Sequence, residues 1–101
     1  MSLMEKGTPH CKLSLIQTMI EAGRVRSTAS ALAGAAALGL DFDDIVAILM
    51  ALTPTDFYKS MTTLADHTVW QDVYRPTTSA GEVYLKLTVT DDVLMVSFKE
   101  L

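Results

Sequence analysis

The chain has 101 residues, of which 50% are hydrophobic and 20% are charged, and its formal net charge is −4. This length and composition allow one globular domain with a modest core, and they exclude a disordered chain and a membrane-spanning helix. The acidic balance excludes a protein that attracts nucleic acid through its overall charge, so any contact with RNA or DNA must depend on a local basic patch.

The first residues are predicted to form a short leader rather than a regular element. A second methionine follows the first so closely that we expect residues 1–3 to be an expression remnant and the domain to span residues 4–101. A glycine and a proline interrupt the chain before His10. The N-terminus lacks the basic and apolar stretches of a signal peptide, and the lone Cys11 cannot form an internal disulfide. We therefore expect a cytoplasmic protein.

Helical patterns dominate the first half of the chain. An apolar stripe at helical spacing predicts a first helix that ends at Gly23, followed by an extended link over residues 24–26. Either Ser27 or Thr28 can cap a second helix over residues 29–38, and the alanines of that helix suit close packing.

A third helix is predicted after Asp41, which can cap it. Asp43 and Asp44 follow in the first turn, where the helix dipole favours negative charge, so we interpret this acidic pair as helix-capping residues rather than as a catalytic pair. The predicted buried face of this helix consists of Ile45, Ile48, Leu49 and Leu52.

After this helix the chain becomes rich in aromatic and β-branched residues, and its hydrophobic residues recur at close to every second position. Residues 55–56 could still cap a short helix, but the pattern favours four strands, over residues 57–63, 68–74, 82–90 and 93–99. Helices followed by consecutive strands predict an α+β fold, in which N-terminal helices pack on a C-terminal antiparallel β-sheet.

The last two strands can be aligned by their alternation. A two-residue loop at Asp91-Asp92 pairs Tyr84 with Lys99 and Lys86 with Ser97 on one face. A slip of one residue would place apolar side chains opposite polar ones. On the other face the same alignment pairs apolar residues, namely Leu85 with Phe98, Leu87 with Val96, and Val89 with Leu94.

The strand over residues 68–74 can lie beside this hairpin in two registers, with either Arg75 or Gln71 opposite Tyr84. Both registers place Gln71 and Arg75 on the face of Tyr84, and both direct Trp70 and Tyr74 towards the core. If Phe57 points inward, Lys59 shares the polar face. One face of the sheet is thus predicted to carry Lys59, Gln71, Arg75, Tyr84, Lys86 and Lys99.

Cations and a tyrosine on one sheet face can hold a phosphate, stack a base and move protons. Such side chains can catalyse RNA cleavage without a metal, a reaction in which the 2′-hydroxyl attacks the adjacent phosphate. The simpler alternative is a solvated strand face, which is the commoner reason for such residues. His10 and His67 are not spaced as metal ligands, and no fingerprint of a phosphate-binding loop or dinucleotide cofactor is present. We therefore expect neither a metal nor a cofactor.

Several long blocks of the chain carry a family resemblance, namely Glu5-Lys6, Thr8-Pro9-His10, residues 39–43, 56–63, 67–76, 83–86 and 92–100. In these blocks the chain resembles the motility quorum-sensing regulator (MqsR) toxin family. The resemblance spans residues 4–101 without a gap, and two of the helices and the acidic charge depart from the family pattern.

The resemblance implies a RelE/YoeB-like fold and a toxin of a type II toxin-antitoxin system. Such toxins cleave mRNA without a metal, here at short GC-containing sites such as GCU, and leave a cyclic phosphate and a 5′-hydroxyl. The implied partner is MqsA, a zinc-containing, DNA-binding antitoxin. The residues that the resemblance assigns to catalysis are Lys59, Gln71, Tyr84 and Lys99.

Three further residues are expected to bind RNA. Arg75 and Lys86 share the polar face and could contact phosphates, and His10 lies in one of the matching blocks. The acidic charge motivates a competing hypothesis, an inactive relative that only binds an antitoxin-like protein or nucleic acid. A metal-dependent nuclease is disfavoured, because the sequence contains no clustered acidic or histidine ligands.

Overall fold

The computed structural model describes residues 4–101, so the expected expression remnant at residues 1–3 lies outside the described part. The helices are α1 (Leu13–Glu21), α2 (Ala29–Ala36) and α3 (Phe42–Ala51), and a single 3-10 turn follows at Pro54–Asp56. The strands are β1 (Glu5–Lys6), β2 (Val25–Ser27), β3 (Phe57–Thr62), β4 (Trp70–Tyr74), β5 (Thr77–Thr78), β6 (Gly81–Val89) and β7 (Val93–Glu100).

The helices cover one face of a mostly antiparallel sheet, which confirms the predicted α+β class. The strand order is β1-β3-β4-β6-β7-β2, and β5 pairs with the start of β6. The core lies between the helices and the face of β6 and β7 that carries Leu85, Leu87 and Phe98. No helix within residues 4–101 is long and apolar enough to cross a membrane.

The helix ends follow the predicted capping chemistry. The hydroxyl of Thr28, not that of Ser27, accepts a hydrogen bond from the Ala31 N–H at 3.0 Å and starts α2. Asp41 and Asp44 exchange side-chain-to-backbone hydrogen bonds of 2.9 Å at the start of α3. These bonds satisfy backbone groups that would otherwise lack a partner in the first helical turn.

Two edge strands were not predicted. The expected leader contains β1, which pairs antiparallel with β3, and the expected link contains β2, which pairs parallel with β7. Strands of two or three residues are too short to show a period in the sequence. Their pairing depends on backbone hydrogen bonds with distant segments; the Val93 N–H, for example, donates to the Arg24 carbonyl at 3.0 Å. Because β2 runs parallel to β7, the sheet is not purely antiparallel.

The predicted register of the last hairpin is right at one end and wrong at the other. Tyr84 pairs with Lys99 as predicted, but Leu87 pairs with Met95 instead of Val96 because a bulge leaves Val96 unpaired. The Thr28 hydroxyl donates to the Val96 carbonyl at 2.9 Å, which satisfies the group that the bulge takes out of the ladder. The predicted pair of Val89 with Leu94 fails for the same reason. The residues of β7 that the structure buries are Val93, Met95 and Phe98.

Trp70 does not occupy the core position predicted for it. Alternation places it on the helix-covered face, as predicted, but at the first residue of β4, where it remains half-buried. The ring of His10 stacks on it with centroids 5.3 Å apart, and Lys6 Nζ lies 4.2 Å from its ring centroid. Tyr74, in contrast, is fully buried in the core and confirms the prediction.

The buried Tyr74 phenol predicts a loss of stability at high pH. Burial, together with the nearby Asp72 and Cys11, raises the pKa of Tyr74 to about 12. An unfolded tyrosine titrates near pH ~10. The neutral phenol therefore stabilises the folded state fully below pH ~10, and this contribution is lost as the pH rises through about 12.

We expect this residue to lower the free energy of unfolding by up to about 2 kcal/mol between pH ~10 and ~12. Urea unfolding followed by circular dichroism across that range measures the loss, which Tyr74→Phe should reduce. Tyr58→Phe removes an exposed phenol and should leave the loss intact. An equal decline in the Tyr74→Phe protein would contradict the prediction.

Candidate functional site

The helices leave the second face of the sheet uncovered, and the predicted polar residues lie there. Lys59 and Met61 of β3, the odd-numbered residues of β4 and the even-numbered residues of β6 point to this side, as the pairing of the strands shows. We call this surface the open face, and we define it by Lys59, Gln71, Arg75, Tyr84, Lys86 and Lys99.

Two rows of the open face bring cations together. One row runs across four strands through Lys59, Val73, Lys86 and Ser97. In the next row Tyr84 pairs with Lys99, as the sequence predicted. Side chains that are directly opposite in such rows lie about 5 Å apart at Cβ, so a single phosphate group can contact neighbours from both rows.

The structure decides between the two predicted registers of β4. Tyr74 pairs with Leu85, and the Val83 N–H donates to the Pro76 carbonyl at 3.1 Å. These contacts place Arg75 opposite Tyr84, so the register with Gln71 opposite Tyr84 is wrong. Gln71 lies on the open face further along β4, opposite Met61 and diagonal to Lys59. It therefore borders the lysine row and is separated from Lys99.

Aromatic rings hold several of these cations in place. Lys99 Nζ lies 5.3 Å from the centroid of the Tyr84 ring, and the Arg75 guanidinium carbon lies 4.8 Å from that of Tyr58. Lys59 Nζ lies 5.4 Å from the same Tyr58 ring. Such contacts favour a cation over the ring face and limit its rotamers.

Tyr58 was not predicted to be part of the site. The register of β3 shifts between Phe57 and Lys59, and this bulge turns the half-exposed Tyr58 towards the cations of the open face. The same bulge lets Phe57 face the core while Lys59 faces outward, although strict alternation would put these two residues on one side of the sheet. Beside it lies a small cleft of about 260 Å³, lined by Thr55, Asp56, Phe57, Tyr58, Arg75, Glu82 and Leu101.

Glu5 is a second unpredicted residue of the open face. Its Oε1 atom accepts a hydrogen bond from Lys59 Nζ at 2.6 Å. This hydrogen bond is the main cause that raises the pKa of Lys59, and the Tyr84 and Tyr58 phenols add to it. No pattern in the sequence indicates this contact, because it depends on the pairing of β1 with β3.

His10 does not lie with the other predicted RNA-binding residues. Its backbone N–H donates to Asp72 Oδ1 at 2.9 Å on the helix-covered side, and its ring stacks on Trp70. Its Nδ1 atom lies 2.9 Å from Lys6 Nζ. The structure therefore does not bring His10 to the open face, because the residues after β1 pass to the helix-covered side of the sheet.

The open face is a local basic patch on an acidic protein. It carries Lys59, Arg75, Lys86 and Lys99, which are four of the eight Lys and Arg residues in the chain. Cations in this arrangement can stabilise charge that develops on a phosphate, and the adjacent tyrosine can orient or transfer a proton. Within residues 4–101, no three His, Cys, Asp or Glu side chains form a group that could hold a metal ion.

A larger cavity lies elsewhere and has different chemistry. It has a volume of about 730 Å³ and lies on the helix side, between the β1–α1 connection and the end of α3. Its walls include Pro9, Leu13, Leu52 and Phe57, and it shares no residue with the open face. Apolar walls suit a hydrophobic group rather than a phosphate, so the open face remains the better candidate for polar chemistry.

Comparison with known proteins agrees with the resemblance seen in the sequence. Residues 8–100 match the family described as "Motility quorum-sensing regulator, toxin of MqsA". The chain is also 59% identical over 97 residues to the "mRNA interferase toxin MqsR" of Escherichia coli (strain K12), which covers 96% of this chain and 99% of that protein. The chain belongs to the motility quorum-sensing regulator toxin family.

Proposed function

We propose that this protein is the toxin of a type II toxin-antitoxin system and an endoribonuclease that cleaves mRNA. The observation that carries the proposal is the open face, which gathers Lys59, Lys86, Lys99 and Tyr84 on adjacent rows. Family membership and the name of the Escherichia coli relative support it. On this proposal residues 4–101 form a single toxin domain with a RelE-like fold that acts in the cytoplasm and inhibits translation.

The proposed reaction uses the RNA's own 2′-hydroxyl as the nucleophile. Its oxygen forms a bond to the adjacent phosphorus while the bond from phosphorus to the 5′-oxygen breaks, which leaves a cyclic phosphate and a 5′-hydroxyl. One proton leaves the 2′-oxygen and one reaches the 5′-oxygen. No metal is needed, because lysine cations can stabilise the charge on the pentacoordinate phosphorus.

Each residue of the open face has a proposed role in this reaction that follows from its position. Lys59 and Lys99 neutralise the phosphate, and Tyr84, in contact with Lys99, transfers or orients a proton. Gln71 positions the scissile group from the far side of the lysine row. Arg75 and Lys86 contact phosphates of the RNA chain, and a flanking base can stack on the Arg75 guanidinium beside the small cleft.

The partner is proposed to be an MqsA-like antitoxin. The family description names MqsA, and the resemblance implies a zinc-containing, DNA-binding protein that neutralises the toxin. The proposed substrate is mRNA with short GC-containing sites such as GCU. The net charge of −4 predicts that RNA binding rests on few phosphate contacts.

Cleavage of a defined RNA in the presence of EDTA tests the proposal. The purified protein should cut a GCU-containing RNA, the 3′ fragment should carry a 5′-hydroxyl, and coexpressed antitoxin should relieve growth arrest. An inactive interaction module would bind the antitoxin without arresting growth or cutting RNA. Activity that EDTA abolishes would instead support a metal-dependent nuclease.

A further inference from the structure

The edge strand β1 brings a carboxylate into a site that otherwise carries cations. Glu5 pairs with Met61 in the β1–β3 register, which places its side chain diagonal to Lys59 on the open face. The two charged atoms lie 2.6 Å apart. The Glu5 side chain is 52% exposed and the Lys59 side chain 26% exposed, so solvent and ligands can reach the pair.

This ion pair distinguishes Lys59 from the other cations of the site. Within the part of the chain that the structure describes, Arg75, Lys86 and Lys99 have no carboxylate within 4.0 Å, whereas Lys59 is neutralised by Glu5. The remaining ion pairs join Arg24 and Arg26 to Asp92 at the end of the last hairpin. Glu5 therefore acts on one specific lysine of the cationic row.

A carboxylate and a phosphate compete for the same ammonium group. Both accept charge-assisted hydrogen bonds from lysine, and their like charges repel each other. We propose that Glu5 occupies the position on Lys59 that a phosphate oxygen of the RNA takes, so that RNA displaces it and Glu5 limits the affinity for RNA. This inference rests on the proposed function.

The structure gives Glu5 the freedom that displacement requires. β1 has only two residues, and Gly7 follows it directly. Because the ion pair is partly exposed to water, it contributes little stability and can be exchanged at low cost. The rest of the segment stays attached through Asp72, which accepts hydrogen bonds from the His10 and Cys11 N–H groups at 2.9 and 3.0 Å.

Binding of an RNA that cannot be cleaved tests this inference separately from catalysis. Fluorescence anisotropy with a single-stranded RNA that is 2′-O-methylated throughout gives Kd at several salt concentrations. Glu5→Gln should lower Kd by about two- to fivefold, the range expected from loss of an exposed ion pair. Without the Glu5 carboxylate, Lys59 would be paired with an ion from solution, and RNA binding would release that ion. The slope of log Kd against log salt should therefore increase by about 0.7.

Glu21→Gln is the matched control, because it makes the same chemical change at the exposed end of α1 in the helix layer. It should leave both Kd and the salt slope unchanged. Glu5→Gln should also lose its effect when Lys59→Gln is already present, since the competing carboxylate then has no lysine to occupy.

Several results would overturn the inference: an unchanged salt slope in Glu5→Gln, weaker binding, or the same tightening in Glu21→Gln. They differ from failure of the proposed function, in which the wild-type protein would not cut the cleavable RNA. A loss of kcat with unchanged Kd in Glu5→Gln would also overturn the inference, because it would make Glu5 a catalytic residue instead of a competitor.

Discussion

Lys99→Ala is expected to lower kcat/KM for RNA cleavage by about 10²–10³, the usual cost of removing one charge that stabilises a transition state. Lys99 is exposed on the open face and lies over the Tyr84 ring, where it can contact both the phosphate and the proton-transferring phenol. Initial rates on a GCU-containing RNA in EDTA measure the loss. Because Lys99 is exposed, the free energy of unfolding should change by no more than about 0.5 kcal/mol.

Tyr84→Phe separates the role of the phenol from that of the lysine. It keeps the ring that supports Lys99 and removes only the hydroxyl, so a loss of about 10²–10⁴ in kcat would indicate proton transfer. The double variant should lose less than the product of the two single effects, because residues that act as a unit are not additive.

Lys12→Ala serves as the control for these variants. Lys12 is exposed and lies beside the helix-side cavity, away from the open face, yet its loss changes the net charge by the same amount as Lys99→Ala. Its cleavage rate should stay within about twofold of the wild type. If Lys99→Ala and Lys12→Ala had equal effects, the open face would not be the site of cleavage.

The strand alternation was enough to predict most of the open face. Tyr84 and Lys86 lie on β6, whose apolar residues recur at every second position, and Lys99 follows Phe98 at the end of β7 where polar and apolar residues alternate, so their orientation follows from the pleat. The prediction failed where the alternation is ambiguous. Leu94, Met95 and Val96 are all apolar, so the sequence does not show which of them is skipped by the bulge.

The unpredicted parts of the site depend on contacts between distant segments. Glu5 joins the open face only because β1 pairs with β3, and Tyr58 joins it only because β3 has a bulge. His10 fails to join it because the chain crosses the edge of the sheet after β1. Short edge strands and bulges lack a periodic signal in the sequence. The family resemblance therefore identified the block around His10 but did not indicate on which side of the sheet this block lies.

The largest effect on stability is expected at Gly34, where α2 packs against β7. A Cβ atom at this position would lie 1.8 Å from the Phe98 carbonyl oxygen and 3.0 Å from its carbon. Both are backbone atoms of a buried strand, so the clash cannot be relieved by rotating a side chain. Gly34→Ala should therefore lower the free energy of unfolding by about 3 kcal/mol or more. For a domain of this size, that loss corresponds to a fall in Tm of roughly 12–24 °C.

Ala33→Gly provides the matched comparison at the next residue of the same helix. Ala33 is exposed, so the ordinary helix preference applies there and glycine should cost only about 1 kcal/mol. We thus expect glycine to give the more stable protein at position 34 and alanine to give the more stable protein at position 33. Thermal unfolding of the three proteins measures it, and a Gly34→Ala protein as stable as the wild type would show that α2 does not approach β7 this closely.

The same contact connects the helix layer to the proposed chemistry. Phe98 packs in the core beside α2, and the next residue, Lys99, projects to the open face. An outward shift of β7 that relieves the clash at Gly34 would move Lys99 relative to Tyr84. At a temperature where Gly34→Ala remains folded, its kcat/KM should therefore fall while that of Ala33→Gly does not, since a displacement of about 1 Å can cost roughly 10²-fold in rate.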